Sequence, residues 1–224
     1  MAEEHSGSLL VDYFKTFLED RDLESFRERV AARYNEGTLG RILAGSPSVA
    51  ARRAAVVSLG LLGTFDQSNS VLGRALKDAD PAVRSMTESA LWEIWFRAAS
   101  PEQNQMLEQV RHAIGRQRFD VAETLASRLI EQAPAFAEAY NQRAIIHFQQ
   151  GRFAESVHDC RLVLRHNPYH FGALAGMVEC QLQLNRPQEA LKTLRQSLKL
   201  QPYNNSIRDL IRELETQIGP DNAR

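Results

Sequence analysis

At 224 residues, with 43% hydrophobic and 25% charged side chains and a formal net charge of −1, the chain has an ordinary soluble composition and is long enough for one extended array or two small domains. Splitting it after Ala98 leaves 12 Lys and Arg against 14 Asp and Glu before the cut and 15 against 14 after it, so neither half has the positive excess of a phosphate-neutralising surface, and no nucleic-acid partner is expected. Two cysteines, Cys160 and Cys180, are too few for a disulfide framework and are expected as free thiols.

The opening stretch, MAEEHSGSLLVDYFKTFLED, has acids where a secretory leader needs bases, and Asp12 and Lys15 interrupt its apolar positions. No run approaches the roughly 20 apolar residues of a membrane span. A cytoplasmic protein without membrane insertion is the expectation. From Ser8 to Leu18, the spacing of Leu9, Leu10, Tyr13, Phe14, Phe17 and Leu18 predicts an amphipathic helix. Leu23, Phe26 and Val30 predict a second, with Asn35 and Gly37 as its stop. Residues 1–37 are thus expected to cap the repeats on their C-terminal side, their apolar faces packed on neighbouring helices rather than left open for a partner.

Residues 38–98 hold two related segments. TLGRILAGSPSVAARRAAVVSLGLLG and SVLGRALKDADPAVRSMTESALWEIW overlay at an offset of 32, which brings Arg52 onto Arg84, Leu59 onto Leu91 and Leu62 onto Ile94. In the second copy, Asp80 is placed to cap a helix, Pro81 to occupy its first position where no N–H is needed, and Arg84 to follow the apolar Val83. This segment resembles HEAT repeats, although the first copy has Ser46-Pro47-Ser48 in place of the acidic turn. Trp92, Trp95 and Phe96 crowd the end of the second copy, where they are expected to bury apolar area at the join with the next array. Ser100-Pro101-Glu102 then begins a new helix.

From Gln103 onward a 34-residue period governs the chain. Pro134, Pro168 and Pro202 share one phase; Phe119, Phe153 and Pro187 share a second, and the small residues Ala122, Ser156 and Ala190 a third. Gln117, Gly151 and Asn185 fall where one helix must stop and reverse, a place that favours Gly or Asn; Gln117 departs from this, and Gly115 is a candidate for shifting the turn. Met106, Tyr140 and Leu174 fill a larger slot, with Ala144 in the small slot opposite helix B. These positions resemble tetratricopeptide (TPR) repeats at about 103–136, 137–170 and 171–204, closed by a capping helix at 204–218 whose Ile207, Leu210, Ile211, Leu214 and Ile218 form one apolar face. The expected fold is therefore all-α: a right-handed helical-repeat solenoid with a HEAT-like pair at 38–98, then a TPR array within 101–219.

Motifs for chemistry are sparse. The sequence has no G-x-x-x-x-G-K-[ST], G-x-G-x-x-G, H-E-x-x-H or G-x-S-x-G. His158-Asp159-Cys160 has nucleophilic residue types, but neighbours on a helix point about 100° apart and form no relay. His166 and His170 are four apart with Pro168 between them, and two histidines alone make no zinc site. Arg111, Arg116 and Arg118 cluster without a glycine-rich nest and read as a solvated edge. No catalytic residue, metal or cofactor is expected.

The TPR resemblance implies a concave groove lined by the first helix of each repeat. The matching positions are Asn104, Leu107 and Arg111 in the first repeat; Glu138, Asn141, Ile145, Phe148 and Gln149 in the second; Glu179, Leu182 and Gln183 in the third; and Asp209 and Glu213 on the cap. Relatives that grip a C-terminal carboxylate use a Lys and Asn pair where Leu107 and Arg111 stand, and cations in the third repeat where Ala175 and Gly176 stand, so no such clamp is implied. The groove is basic at Arg111 and acidic at Glu179, Asp209 and Glu213, with Ile145, Phe148 and Leu182 between, which suits a segment with an apolar anchor and a basic flank. The expected function is a non-catalytic scaffold for protein or peptide partners. The alternatives are an accessory subunit of an enzyme or secretion assembly and, less favoured by the neutral charge, a HEAT-like nucleic-acid repair protein.

Overall fold

The computed structural model of the protein describes residues 2–219, with side chains from Leu9 onward; Met1, the first residue of the expected N-terminal cap, and residues 220–224 lie outside it. The regular elements among the described residues are thirteen α-helices, grouped in two units, Met1–Ala98 and Ala99–Arg224. The first unit contains α1 (Ala2–Asp20), α2 (Leu23–Ala31), α3 (Glu36–Gly45), α4 (Val49–Leu62), α5 (Phe65–Ala75) and α6 (Pro81–Phe96). The second contains α7 (Pro101–Gly115), α8 (Phe119–Gln132), α9 (Ala137–Gln149), α10 (Phe153–His166), α11 (Phe171–Gln183), α12 (Pro187–Leu200) and α13 (Asn205–Ile218).

In the first unit α4 and α6 pack side by side, with α3 and α5 beside them and α1 and α2 against α4. Gly60 sets the distance between the central pair: a Cβ there would stand 3.0 Å from the Ala90 Cβ, tighter than ordinary contact. Leu10, Phe14, Phe26 and Val30 are buried among the described side chains of α1 and α2, and the Phe17 and Phe26 rings stack at 5.2 Å. Leu18 and Leu23, expected on packed faces, stay 43% and 46% exposed, because they lie at the ends of α1 and α2 beside the bend that joins them. Asn35 and Gly37 do not stop α2, which ends at Ala31; Asn35 starts α3 by accepting from the Thr38 N–H at 2.8 Å. An Asn oxygen satisfies a free N–H at a helix start as readily as its backbone ends one, so the sequence signal is ambiguous in direction.

The 32-residue offset recurs in atomic detail. Arg52 donates back to the carbonyls of Ser46 and Pro47, and Arg84 to those of Asp78 and Ala79, the same two places relative to each arginine. Ser48 caps α4 through the Ala51 N–H, and Asp80 caps α6 through the Val83 N–H, with Pro81 at the first position. Between the copies, Arg52 makes a bidentate pair with Asp78 (2.8 and 3.0 Å) and Arg53 another with Asp80 (3.0 and 2.8 Å). The Arg53 guanidinium, ahead of the Val83 and Ala82 N–H groups, holds the Asp80 carboxyl down at about 2. Trp95 is spent inside this unit: it is 2% exposed and its indole N–H donates to Asn69 Oδ1 at 2.8 Å, while Trp92 stacks on Phe96 at 5.5 Å.

In the second unit the repeat is carried by the turns. Gln117, Gly151 and Asn185 all take left-handed backbone, at φ 57°, 73° and 56°. Each is followed by the same pair of bonds: Gln117 N–H to Ile114 O and Arg118 N–H to Ala113 O, then Gly151 to Phe148 and Arg152 to His147, then Asn185 to Leu182 and Arg186 to Gln181. This is the Schellman arrangement, which satisfies the last free carbonyls of a helix. Gly115 therefore does not move the first turn; it is the last residue of α7, and Gln117 bears the left-handed conformation itself. At the other end of each hairpin the residue before proline has left the helical region, with φ and ψ of −138° and 70° at Ala133, −140° and 93° at Asn167 and −121° and 71° at Gln201, because the proline ring disfavours helical backbone there. Ala122, Ser156 and Ala190 are 0%, 2% and 0% exposed, so helices pack closely there. α13 closes the unit, its Ile207, Leu210, Ile211, Leu214 and Ile218 packed on Val178, Leu182, Leu191 and Leu194.

Candidate peptide-binding face

The first helices of the hairpins, α7, α9 and α11, and the cap α13 share the 34-residue register, so equivalent positions can be compared directly. One row, Arg111, Ile145, Glu179 and Glu213, is exposed in all four helices. A second, Gly115, Gln149, Gln183 and Gln217, is exposed one turn further on. On each helix the two rows make one exposed stripe, because residues four apart lie over one another. Phe148 and Leu182 back the stripe half-buried, Phe148 edge-on to Phe153 at 5.6 Å and Leu182 in the cluster under the cap.

A third row, Leu107, Asn141, Ala175 and Asp209, behaves differently. Ala175 and Asp209 are exposed, whereas Leu107 is 0% and Asn141 6% exposed. Leu107 is core, as its apolar side chain favours. Asn141 and Glu138, both expected on the groove, are sealed in a polar network. Glu138 is 1% exposed; its Oε1 accepts from Asn141 Nδ2 (2.7 Å) and Gln142 Nε2 (3.1 Å), and its Oε2 meets His170 Nε2 at 2.9 Å. Asn104 is also occupied, bonding the Ala99 N–H (3.2 Å) and carbonyl (3.0 Å) ahead of α7. The expected residues that remain open or half-open are Asn104, Arg111, Ile145, Phe148, Gln149, Glu179, Leu182, Gln183, Asp209 and Glu213. Arg111 is paired with Glu108 at 2.6 Å and Asp209 with Arg212 at 3.2 Å.

Behind α9 a second polar network fixes the face, and no periodicity or motif signals it in advance. Arg143 makes a bidentate pair with Asp159 on α10 (2.8 Å for both bonds), where Asp159 is 1% exposed. His147 Nε2 lies 3.2 Å from Glu123 Oε1 on α8, and Arg152 bonds the other Glu123 oxygen. Those donors, Arg152 foremost, hold the Glu123 carboxyl below the usual carboxylate range against its burial. His147 Nδ1 has no hydrogen bond, although Asp159 Oδ2 is 3.3 Å away. Buried charges of this kind persist only when paired and oriented, so they rigidify the helix that carries Ile145 and Gln149.

Sequence models of the tetratricopeptide repeat family match residues 107–170 and 147–214. Residues 107–214 are tetratricopeptide repeats. A TPR repeat-containing protein of Rhizobium etli is 27% identical over 155 residues, 69% of this chain and 74% of the relative. Among solved structures, a mutant of MamA aligns with a TM-score of 0.47 at 17% identity, over 70% of this chain and 93% of its own. MamA MSR-1 aligns with a TM-score of 0.47 at 16% identity, over 77% and 90%. Residues 38–98, with their resemblance to HEAT repeats, lie outside both matched spans. TPR repeats are protein-interaction modules, and the regular elements among the described residues are all helices.

Within the TPR unit the residue types considered for chemistry are kept apart. His158 is exposed, Asp159 is held by Arg143, and Cys160 is 2% exposed with its thiol pushed up to about 12, first by burial and then by Cys180 and Asp159. Cys180 is raised as well, chiefly by burial. A thiol so far from ionising is a poor nucleophile. His166 ends α10 and stacks on Tyr140 at 5.5 Å, while His170 begins α11, so the two serve different helices. No group of three or more His, Cys, Asp or Glu among the described residues is placed to hold a metal. None of the described helices is long and apolar enough to cross a membrane.

Proposed function

We propose that the protein is a non-catalytic scaffold that holds a partner protein on the exposed stripe of α7, α9, α11 and α13. The observation that carries this reading is the row Arg111, Ile145, Glu179 and Glu213, exposed in all four helices, while Leu107 and Asn141 of the neighbouring row are buried. A surface kept open at one register by a rigid frame is suited to recognition by a few anchors. Ile145, 37% exposed, is the apolar anchor point, flanked by Arg111 on one side and by Glu179 and Glu213 on the other. The partner segment that complements this order places an apolar side chain between an acidic and a basic flank, the basic flank toward α13.

Affinity capture from the source cells with the full chain, and in parallel with Ile145→Asp and Glu179→Lys variants, tests the reading. Proteins retained by the wild type and lost from both variants, with unchanged circular dichroism, are the expected result. Retention of the same proteins by all three chains would remove the stripe as the binding surface. A single stoichiometric partner that buries the stripe would identify the accessory-subunit form of the same function.

A further inference from the structure

The turns before α9, α11 and α13 place Phe136, His170 and Asn204 at the same register, immediately ahead of each helix. Phe136 has no side-chain acceptor, and α9 starts without a side-chain cap. Asn204 offers its amide oxygen to the Ile207 N–H at 3.2 Å. His170 offers Nδ1 to the Ala173 N–H at 2.9 Å. An imidazole nitrogen accepts a hydrogen bond only while it carries no proton. Nδ1 is therefore bare, the ring proton sits on Nε2, and Nε2 donates to Glu138 Oε2 at 2.9 Å. Ring and carboxylate are 0% and 1% exposed.

Glu138 from α9 is bonded to the ring. From α10, Arg165 is exposed and His166 is stacked on Tyr140. Tyr169 precedes the ring in the turn; α11 itself carries Glu179, exposed and nine residues on, and the buried Cys180. The other Glu138 oxygen accepts from the Asn141 and Gln142 amides.

We propose that His170 makes the start of the third repeat proton-sensitive: the cap on α11 holds while the imidazole is neutral, and uptake of a proton at Nδ1 opens the first turn. With both nitrogens protonated, an N–H faces the Ala173 N–H. The Glu138 contact tightens at the same moment, so the ring stays with α9 and α11 loses its cap. The change begins at α11 and not at α4 or α13, whose caps, Ser48 and Asn204, do not titrate in mild acid. It concerns the fold of the repeat and stands whether or not the exposed stripe binds a partner.

Nitrogen-15 NMR of the full chain, stepped from about pH 8 to pH 5, the range over which histidine charge changes, is the test. The expected result is the Nε2–H tautomer of His170 at the upper end. Toward the lower end the Ala173 amide resonance should shift and lose roughly fivefold of its protection relative to the Ile207 amide in the same sample, the size of one lost cap. His170→Asn should keep the cap and abolish the pH response; if that variant fails to fold, the wild-type spectra decide alone. An Nδ1–H tautomer at neutral pH, a titrating ring with an unmoved Ala173 amide, or a ring that stays neutral until the whole chain unfolds would each overturn the proposal.

Discussion

The two units build repeats with different fasteners. In the first, the copies at an offset of 32 are joined by side chains: Arg52 and Arg53 reach across to Asp78 and Asp80, and Arg52 and Arg84 tie down the loops before their own helices. In the second, the period of 34 is written in the backbone, through three left-handed turns with identical hydrogen bonds and three non-helical residues before proline. The first unit is thus exposed to charge and pH at its junctions, whereas the second is exposed to substitutions that change backbone freedom. Both tryptophans, Trp92 and Trp95, lie in the first unit, so tryptophan fluorescence reports on it alone while far-ultraviolet circular dichroism reports on both.

The largest effect is expected where the second unit departs from this division and relies on a buried ion pair. Arg143→Ala strands the Asp159 carboxylate at 1% exposure and should cost about 3 kcal/mol in urea unfolding followed by circular dichroism. In the first unit Asn69→Ala removes the acceptor of the Trp95 indole, and a loss of about 1.5 kcal/mol should appear in the fluorescence transition. Gln117→Gly and Gly151→Ala make opposite changes at equivalent turns. The first should stabilise by about 0.7 kcal/mol and the second destabilise by about 1 kcal/mol, since left-handed backbone favours glycine. Equal effects of one sign would show that these turns do not carry the repeat.

The smallest effect sharpens the contrast through pH. Asp80 binds its proton less readily in the folded chain, at about 2 against an ordinary 3.8, so the unfolded chain takes up protons first as the solution is acidified. Its contribution is complete above about pH 4 and is lost as the pH falls toward 2. Arg53→Met should flatten that part of the acid transition read by fluorescence. A transition of unchanged shape would mean that the Arg53 pair contributes nothing.

Much of the fold is legible in the sequence because its determinants are local. A proline restricts the residue before it, and a small side chain in phase with others marks a helix contact wherever it occurs, so Pro134, Pro168, Pro202, Ala122 and Ala190 announce the repeat without reference to distant residues. The face is less legible, since exposure depends on what arrives from elsewhere. Glu138 has the residue type and spacing of a groove position, but His170, 32 residues later, closes over it. Asp159 reads as part of a His-Asp-Cys triplet until Arg143 takes both of its oxygens. Gln117 carries no left-handed signature, and its neighbour Gly115 misdirects the turn; the conformation is imposed by the packing of α7 on α8 rather than by the residue.

Hydrogen exchange of the full chain, with and without a captured partner, tests the proposed face most directly. Protection gained by the peptides spanning Ala137–Gln149, Phe171–Gln183 and Asn205–Ile218, with α3 to α6 unchanged, is the predicted result. Protection confined to α3 to α6, with those three helices exchanging as in the free chain, would contradict it.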